Sequence, residues 1–214
     1  MSQSQSLRHD PVAAYDNVAG NHYDKYNTAN PIARWLMSGF LEAFDRLSAR
    51  TGAKEAFEAG CGEGHLSLRL ERAGLTVRGV DLEETAIAEA RANAAAEGSA
   101  AGFDVADLYT LDPDRHGAEL VVSCEVLEHV PDPDRALGVL TSLAKPWLLL
   151  SDPREPVWRA MNMARGKYLP ALGNTPGHIQ HWSSGGFQSL VSRHATIVEV
   201  AQPLPWTMIL CRCD

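Results

Sequence analysis

The chain has 214 residues, 45% of them apolar and 21% charged, and a formal net charge of −8. That is enough for one α/β domain with a full core. The acidic balance argues against a generic nucleic-acid or anionic-membrane binder, which needs a basic footprint. No apolar run is long enough to span a bilayer, and the start shows no signal-peptide pattern. Four cysteines in this length give neither a disulfide framework nor zinc-ribbon spacing. They are expected to be reduced thiols in a cytoplasmic protein, with Cys211 and Cys213 on one face of a strand.

Residues 1–30 are polar and tyrosine-rich and are expected to form a flexible arm. The remainder, 31–214, is expected to be one domain. Asn30 followed by Pro31 is a helix start: a capping side chain, then proline at the first helical position. Ile32, Trp35, Leu36, Phe40, Phe44 and Leu47 recur at helical spacing and end near Gly52. A strand is expected at residues 55–59, a helix at 63–73 and a strand at 76–80 finishing at Asp81. An alanine- and glutamate-rich helix follows at 84–95, then strands at 101–105 and 120–124. A helix at 132–144 and a strand at 147–151 continue the alternation. Strands alternating with helices imply a parallel, doubly wound sheet. Residues 152–182 break the pattern with repeated prolines and read as an irregular insert; long connections of this kind are usually functional. A helix at 185–193 and strands at 197–200 and 208–211 complete the chain. No helical pattern separates the last two strands, so an antiparallel pair is expected.

The most informative stretch is FEAGCGEGHL, from Phe57 to Leu66. A glycine-rich turn between strand and helix lets a ligand approach bare backbone and points helix-start N–H groups at it. The carboxylate of Glu58 just before the turn would repel a phosphate and attract a cationic amine. This stretch resembles motif I of the class I methyltransferases that use S-adenosylmethionine: an acidic residue, any residue, then Gly-x-Gly-x-Gly. Glu58, Gly60, Gly62 and Gly64 match it. The resemblance implies a seven-stranded doubly wound sheet with an antiparallel last strand. It also implies S-adenosylmethionine as cofactor, bound by Glu58, Gly60, Cys61 and Gly62. The competing dinucleotide fingerprint wants a small residue where His65 stands. An NAD-dependent oxidoreductase is therefore a weaker rival; a non-enzymatic protein that binds the same cofactor is another.

Ligands on open α/β sheets sit at the carboxyl ends of strands. Asp81, about 20 residues beyond the loop, is placed to grip a ribose, with Leu82 beside it. In the resembling family an aspartate after the third strand accepts from the adenine amino group. Asp107 matches that position, with Leu108 next to it. After the fourth strand comes CEVLEHVPDP, similar to a motif of small-molecule methyltransferases, especially those that O-methylate quinone precursors. The resemblance implies that Glu125 would fall at the methionine end of the cofactor, and Glu128 and His129 at the mouth. Histidine titrates near neutrality and suits removal of a proton from an acceptor. His129 is the first candidate for general base, and His181, in GHIQHWS, the second. The insert carries Arg154, Arg159, Arg165 and Lys167, which suggests cover for an anionic or aromatic acceptor. The expected function is O- or N-methylation of a small molecule, in secondary metabolism or quinone-type biosynthesis, with neither membrane nor nucleic acid as partner. EVLEH also resembles the metal-binding motif of small-RNA 3′-end 2′-O-methyltransferases. In that alternative Glu125, Glu128 and His129, with His178 or His181, would hold a divalent ion.

Overall fold

The computed structural model of the protein describes residues 30–214. Residues 1–29 of the arm, with Tyr15, Tyr23 and Tyr26, which the resemblance would make covers of the cofactor pocket, lie outside the described residues. The first helix, α1 (Pro31–Thr51), starts where capping chemistry puts it. The Asn30 side chain accepts from the backbone N–H groups of Ile32 and Ala33, and Gly52 ends the helix in the left-handed conformation. The elements then run β1 (Glu55–Ala59), α2 (His65–Arg72), β2 (Thr76–Asp81), α3 (Glu84–Glu97), β3 (Gly102–Val105), a short α4 (Pro113–His116), β4 (Ala118–Cys124), α5 (Pro133–Leu143) and β5 (Ala144–Pro153). After them come α6 (Val157–Ala164), α7 (Ser184–Val191), β6 (Thr196–Ala201) and β7 (Trp206–Arg212).

The strands form one seven-stranded sheet in the order β3-β2-β1-β4-β5-β7-β6. The first five pair in parallel, while β7 runs antiparallel between β5 and β6. This is the seven-stranded, doubly wound architecture with an antiparallel last strand that the resemblance implied. The strand alternation divides two cores. Leu120, Val122, Leu149, Met208 and Leu210 face Phe40, Phe44 and Leu47 of α1. Val121, Leu148, Leu150, Ile209 and Cys211 face Leu137 and Leu140 of α5 and Phe187 of α7. Cys211 and Cys213 fall in the same cluster, as their spacing required, and all four cysteines are free thiols. Among the described residues, no helix is long and apolar enough to cross a membrane.

Two differences from the expected elements matter. The fifth strand extends to Pro153, and the insert contains a helix, α6, instead of being irregular throughout. α6 forms because Trp158 and Met161 pack against the α1-side core. That apolar face is short and lies between prolines, so periodicity alone did not mark it.

Two outcomes test this arrangement. Phe44 is fully buried beneath α1, and Phe44→Ala should cost about 3–5 kcal/mol in denaturant unfolding. A loss below about 1 kcal/mol would mean that α1 is not part of the domain core. Asp152, buried at the end of β5, is pushed up to about 8 by burial and then by the Glu155 carboxylate. Its folded value exceeds its unfolded value, so its contribution is intact in acid and is lost as pH climbs from about 4 to about 8. Asp152→Asn should flatten that decline in thermal midpoint; an unchanged slope would contradict the assignment.

Candidate active site

The glycine loop between β1 and α2 is fixed by the end of β2. Gly60 N–H and Cys61 N–H both donate to the carbonyl of Val80, at 2.8 and 2.9 Å. One Asp81 carboxylate oxygen accepts from Gly62 N–H at 2.8 Å, and the other from Glu83 N–H at 3.0 Å. Gly60, Gly62 and Gly64 have φ of +80°, +51° and +80°, conformations open to glycine and strained for other residues. Glu58 is buried, and its carboxylate accepts from the Ser67 hydroxyl at 2.5 Å. Burial, then the Glu58 and Asp81 carboxylates, push the Cys61 thiol far up. Cys61 is therefore a neutral thiol, not a nucleophile.

These residues line one large cavity of about 480 Å³ over the carboxyl ends of the strands. Every cofactor residue expected from the sequence lines it: Glu58, Gly60, Cys61, Gly62, Asp81, Leu82, Asp107, Leu108 and Glu125. Asp107 also caps the turn that follows, accepting from Tyr109 N–H at 2.9 Å. Thus Asp81 and Asp107 each combine a local structural bond with a place in the cavity wall.

The turn after β4 closes the cavity floor. Glu125 sits at φ +58°, one of few non-glycine residues in that region, and donates its N–H to the Ser151 carbonyl at 3.0 Å. Its carboxylate accepts from the indole N–H of Trp206 at 2.5 Å. Trp206 is 5.0 Å from the Phe40 ring and 5.8 Å from that of Trp158. Trp158 in turn stacks on His178 at 5.9 Å, and His178 meets His129 edge to face at 4.9 Å. An aromatic wall therefore runs from α1 through β7 and the insert to the candidate base. Trp206 had no signal in the sequence. It acquires a role only because β7 lies against β5 and brings it beside Glu125.

His129 and Glu128 both line the cavity, as expected, although Glu128 is almost fully buried. His181 corrects the expectation of a second base. It is exposed, bonded to Asn174 at 2.6 Å, and absent from the cavity wall. The histidine of that stretch which reaches the cavity is His178. The cations of the insert also divide. Arg154 bonds Gln202, and Arg159 donates to the carbonyls of Ala171 and Leu172. Arg165 and Lys167 line the cavity. Glu128, His129 and His178 have ligand-type atoms within 4.8 Å of one another and could hold a metal ion. Glu125 is not in that group, because its carboxylate is turned to Trp206. The two-glutamate donor set of the RNA-type alternative is therefore not assembled.

Residues 56–146 match a family model described as a methyltransferase domain. A ubiquinone biosynthesis O-methyltransferase of Coxiella burnetii is 34% identical over 142 residues, covering 66% of this chain and 60% of the relative. The enzyme of that name from Bordetella avium is 32% identical over 114 residues, covering 52% of this chain and 47% of its own. The chain thus spans about half to three-fifths of the length of these curated relatives. Among solved structures, magnesium protoporphyrin IX methyltransferase (ChlM) from Synechocystis PCC 6803 with bound SAH superposes with a TM-score of 0.69 at 20% identity. It covers 95% of this chain and 98% of that one, a likeness of fold. The RNA-type alternative draws no support from these relatives.

The point where the cavity is most sensitive is Gly60. A Cβ there would lie 2.3 Å from a methyl carbon of Val126, on top of the backbone strain at φ +80°. Gly60→Ala should therefore push the glycine loop off the turn after β4. It should abolish S-adenosylmethionine binding in calorimetry while far-UV circular dichroism stays unchanged; wild-type affinity would contradict the loop's role. The match of residues 56–146 to a methyltransferase domain, the sheet order and this loop together make the chain similar to the class I S-adenosylmethionine-dependent methyltransferases.

Proposed function

We propose that the chain transfers a methyl group from S-adenosylmethionine to a hydroxyl oxygen of a small aromatic acceptor that bears a negative charge. One observation carries this reading. Besides the glycine loop, the cavity is lined by the aromatic rings of Trp158, Trp206 and Tyr168, by His129, and by the cations of Arg165 and Lys167. Flat aromatic walls favour a planar guest, and the two cations favour an anionic one. The names of the curated relatives support an O-methyltransferase.

The residues of this chain fit the cofactor. Gly60 and Gly62 offer bare backbone at the cavity wall, Asp81 lines it at the end of β2, and Glu58 and Glu125 would supply negative charge beside a cationic ligand. S-adenosylmethionine, when bound, supplies a methyl group on a sulfonium, whose departing bond electrons remain on sulfur. The chain's own task is to orient the acceptor, exclude water and remove one proton. Orientation of this kind supplies roughly 7–11 kcal/mol in favourable cases. His129 takes the hydroxyl proton as the oxygen bonds to the methyl carbon. The insert, residues 152–182, covers the acceptor end, with Trp158, Met161, Arg165, Lys167 and His178 reaching the cavity.

Methyl transfer from labelled S-adenosylmethionine to dihydroxybenzoates, with neutral catechol as control, tests the reading. The carboxylated acceptors should have the lower KM. His129→Gln should lower kcat by about two to four powers of ten. Arg165→Ala and Lys167→Ala should each raise the acceptor KM roughly fivefold, about 1 kcal/mol, whereas Arg154→Ala should not. Unchanged KM in both cavity variants would remove the anionic acceptor. No transfer to any hydroxylated aromatic would overturn the acceptor class.

A further inference from the structure

We infer that Gly177 and His178 are positioning residues that set the basic nitrogen of His129, so that the base is formed only when the insert is seated on the turn after β4. The inference rests on His129 acting as the base.

The geometry is specific. The carbonyl oxygen of Gly177 lies 2.9 Å from Nδ1 of His129. A carbonyl only accepts, so Nδ1 carries the hydrogen, and in the neutral ring the lone pair is on Nε2. The same segment is fastened on both sides of that contact. Ile179 N–H and Gln180 N–H both donate to the Glu128 carbonyl, at 2.9 and 3.0 Å, and the Gln180 side chain donates to the Val130 carbonyl at 3.3 Å. Residues 177–180 therefore grip the backbone immediately before and after His129. His178 closes the other direction. Its ring stands edge-on to His129 and lies flat on Trp158. Trp158 is held in turn, its indole N–H donating to the Thr175 hydroxyl at 2.9 Å.

Gly177 is required at this place for two reasons. Its φ is +86°, and a Cβ would come within 3.3 Å of Nδ1 of His129. A side chain would strain the turn and displace the ring it orients. Without the segment the Nδ1 bond to the Gly177 carbonyl is lost, and a ring with its hydrogen on Nε2 cannot accept a proton there. The insert thus covers the acceptor and completes the base in one docking event.

Long-range 15N–1H correlations of the histidine rings in the full chain test this directly. Wild-type His129 should show a protonated Nδ1 and an unprotonated Nε2 at alkaline pH. Gly177→Ala should lose that pattern, lower kcat roughly tenfold or more, displace the limb of the kcat–pH profile due to the base, and leave S-adenosylmethionine affinity unchanged. If Gly177→Ala fails to fold, Thr175→Val, which loosens Trp158 from the segment, should give mixed tautomers and a smaller loss of kcat. A wild-type ring with its hydrogen on Nε2 would overturn the proposal. So would a tautomer and pH profile unmoved by either variant, or micromolar Mn2+ selectively broadening the His129 and His178 signals. If instead His129→Gln retains full kcat while the wild-type tautomer is as stated, the base assignment has failed and the positioning geometry has not.

Discussion

The structure depends on the turn that follows the central strand β4. Val126 packs so tightly against the glycine loop that only a residue without a side chain fits at Gly60. One residue earlier, Glu125 holds a left-handed backbone with its carboxylate bonded to Trp206. Three residues after that, Glu128 offers its carbonyl to two N–H groups of the insert. Cofactor loop, aromatic wall and insert therefore meet on five consecutive residues, 125–129. Backbone strain at one of them is held in place by bonds from β5 and β7.

The same turn separates two electrostatic environments within one cavity. On the loop side stand the carboxylates of Glu58, Asp81 and Asp107, each fixed by a backbone or hydroxyl donor. On the insert side stand Arg165 and Lys167. A cationic sulfonium and an anionic acceptor would be drawn to opposite ends and meet near His129. Under the proposed reading, this arrangement would give a chain of net charge −8 a local preference for an anion.

Much of the architecture was legible because the strand ends carry their own punctuation. Asn30–Pro31 and Gly52 bracket α1, the glycine loop marks the β1–α2 junction, and the missing helix before β7 announces the antiparallel ending. The loop side of the cavity was legible for the same reason: its lining residues are contiguous or lie at fixed offsets from strand ends. The insert side was not, because it is built from residues far apart in the chain. Trp206 matters only through its register beside Glu125, and α6 only through the sheet face beneath it. Counting charges in the insert overestimated the cations that line the cavity. Arg154 and Arg159 are taken up by Gln202 and by backbone carbonyls. Choosing between His178 and His181 needed the path of the turn, which bends the first inward and leaves the second in solvent.

The most direct test of the account is a structure of the chain with S-adenosylhomocysteine and a hydroxylated aromatic carboxylate. The account predicts the ribose at Asp81, the sulfur beside Glu125, and the acceptor ring against Trp158 with its hydroxyl oxygen within about 3 Å of His129 Nε2. An acceptor bound away from His129, or a nucleoside that bypasses the glycine loop, would contradict it.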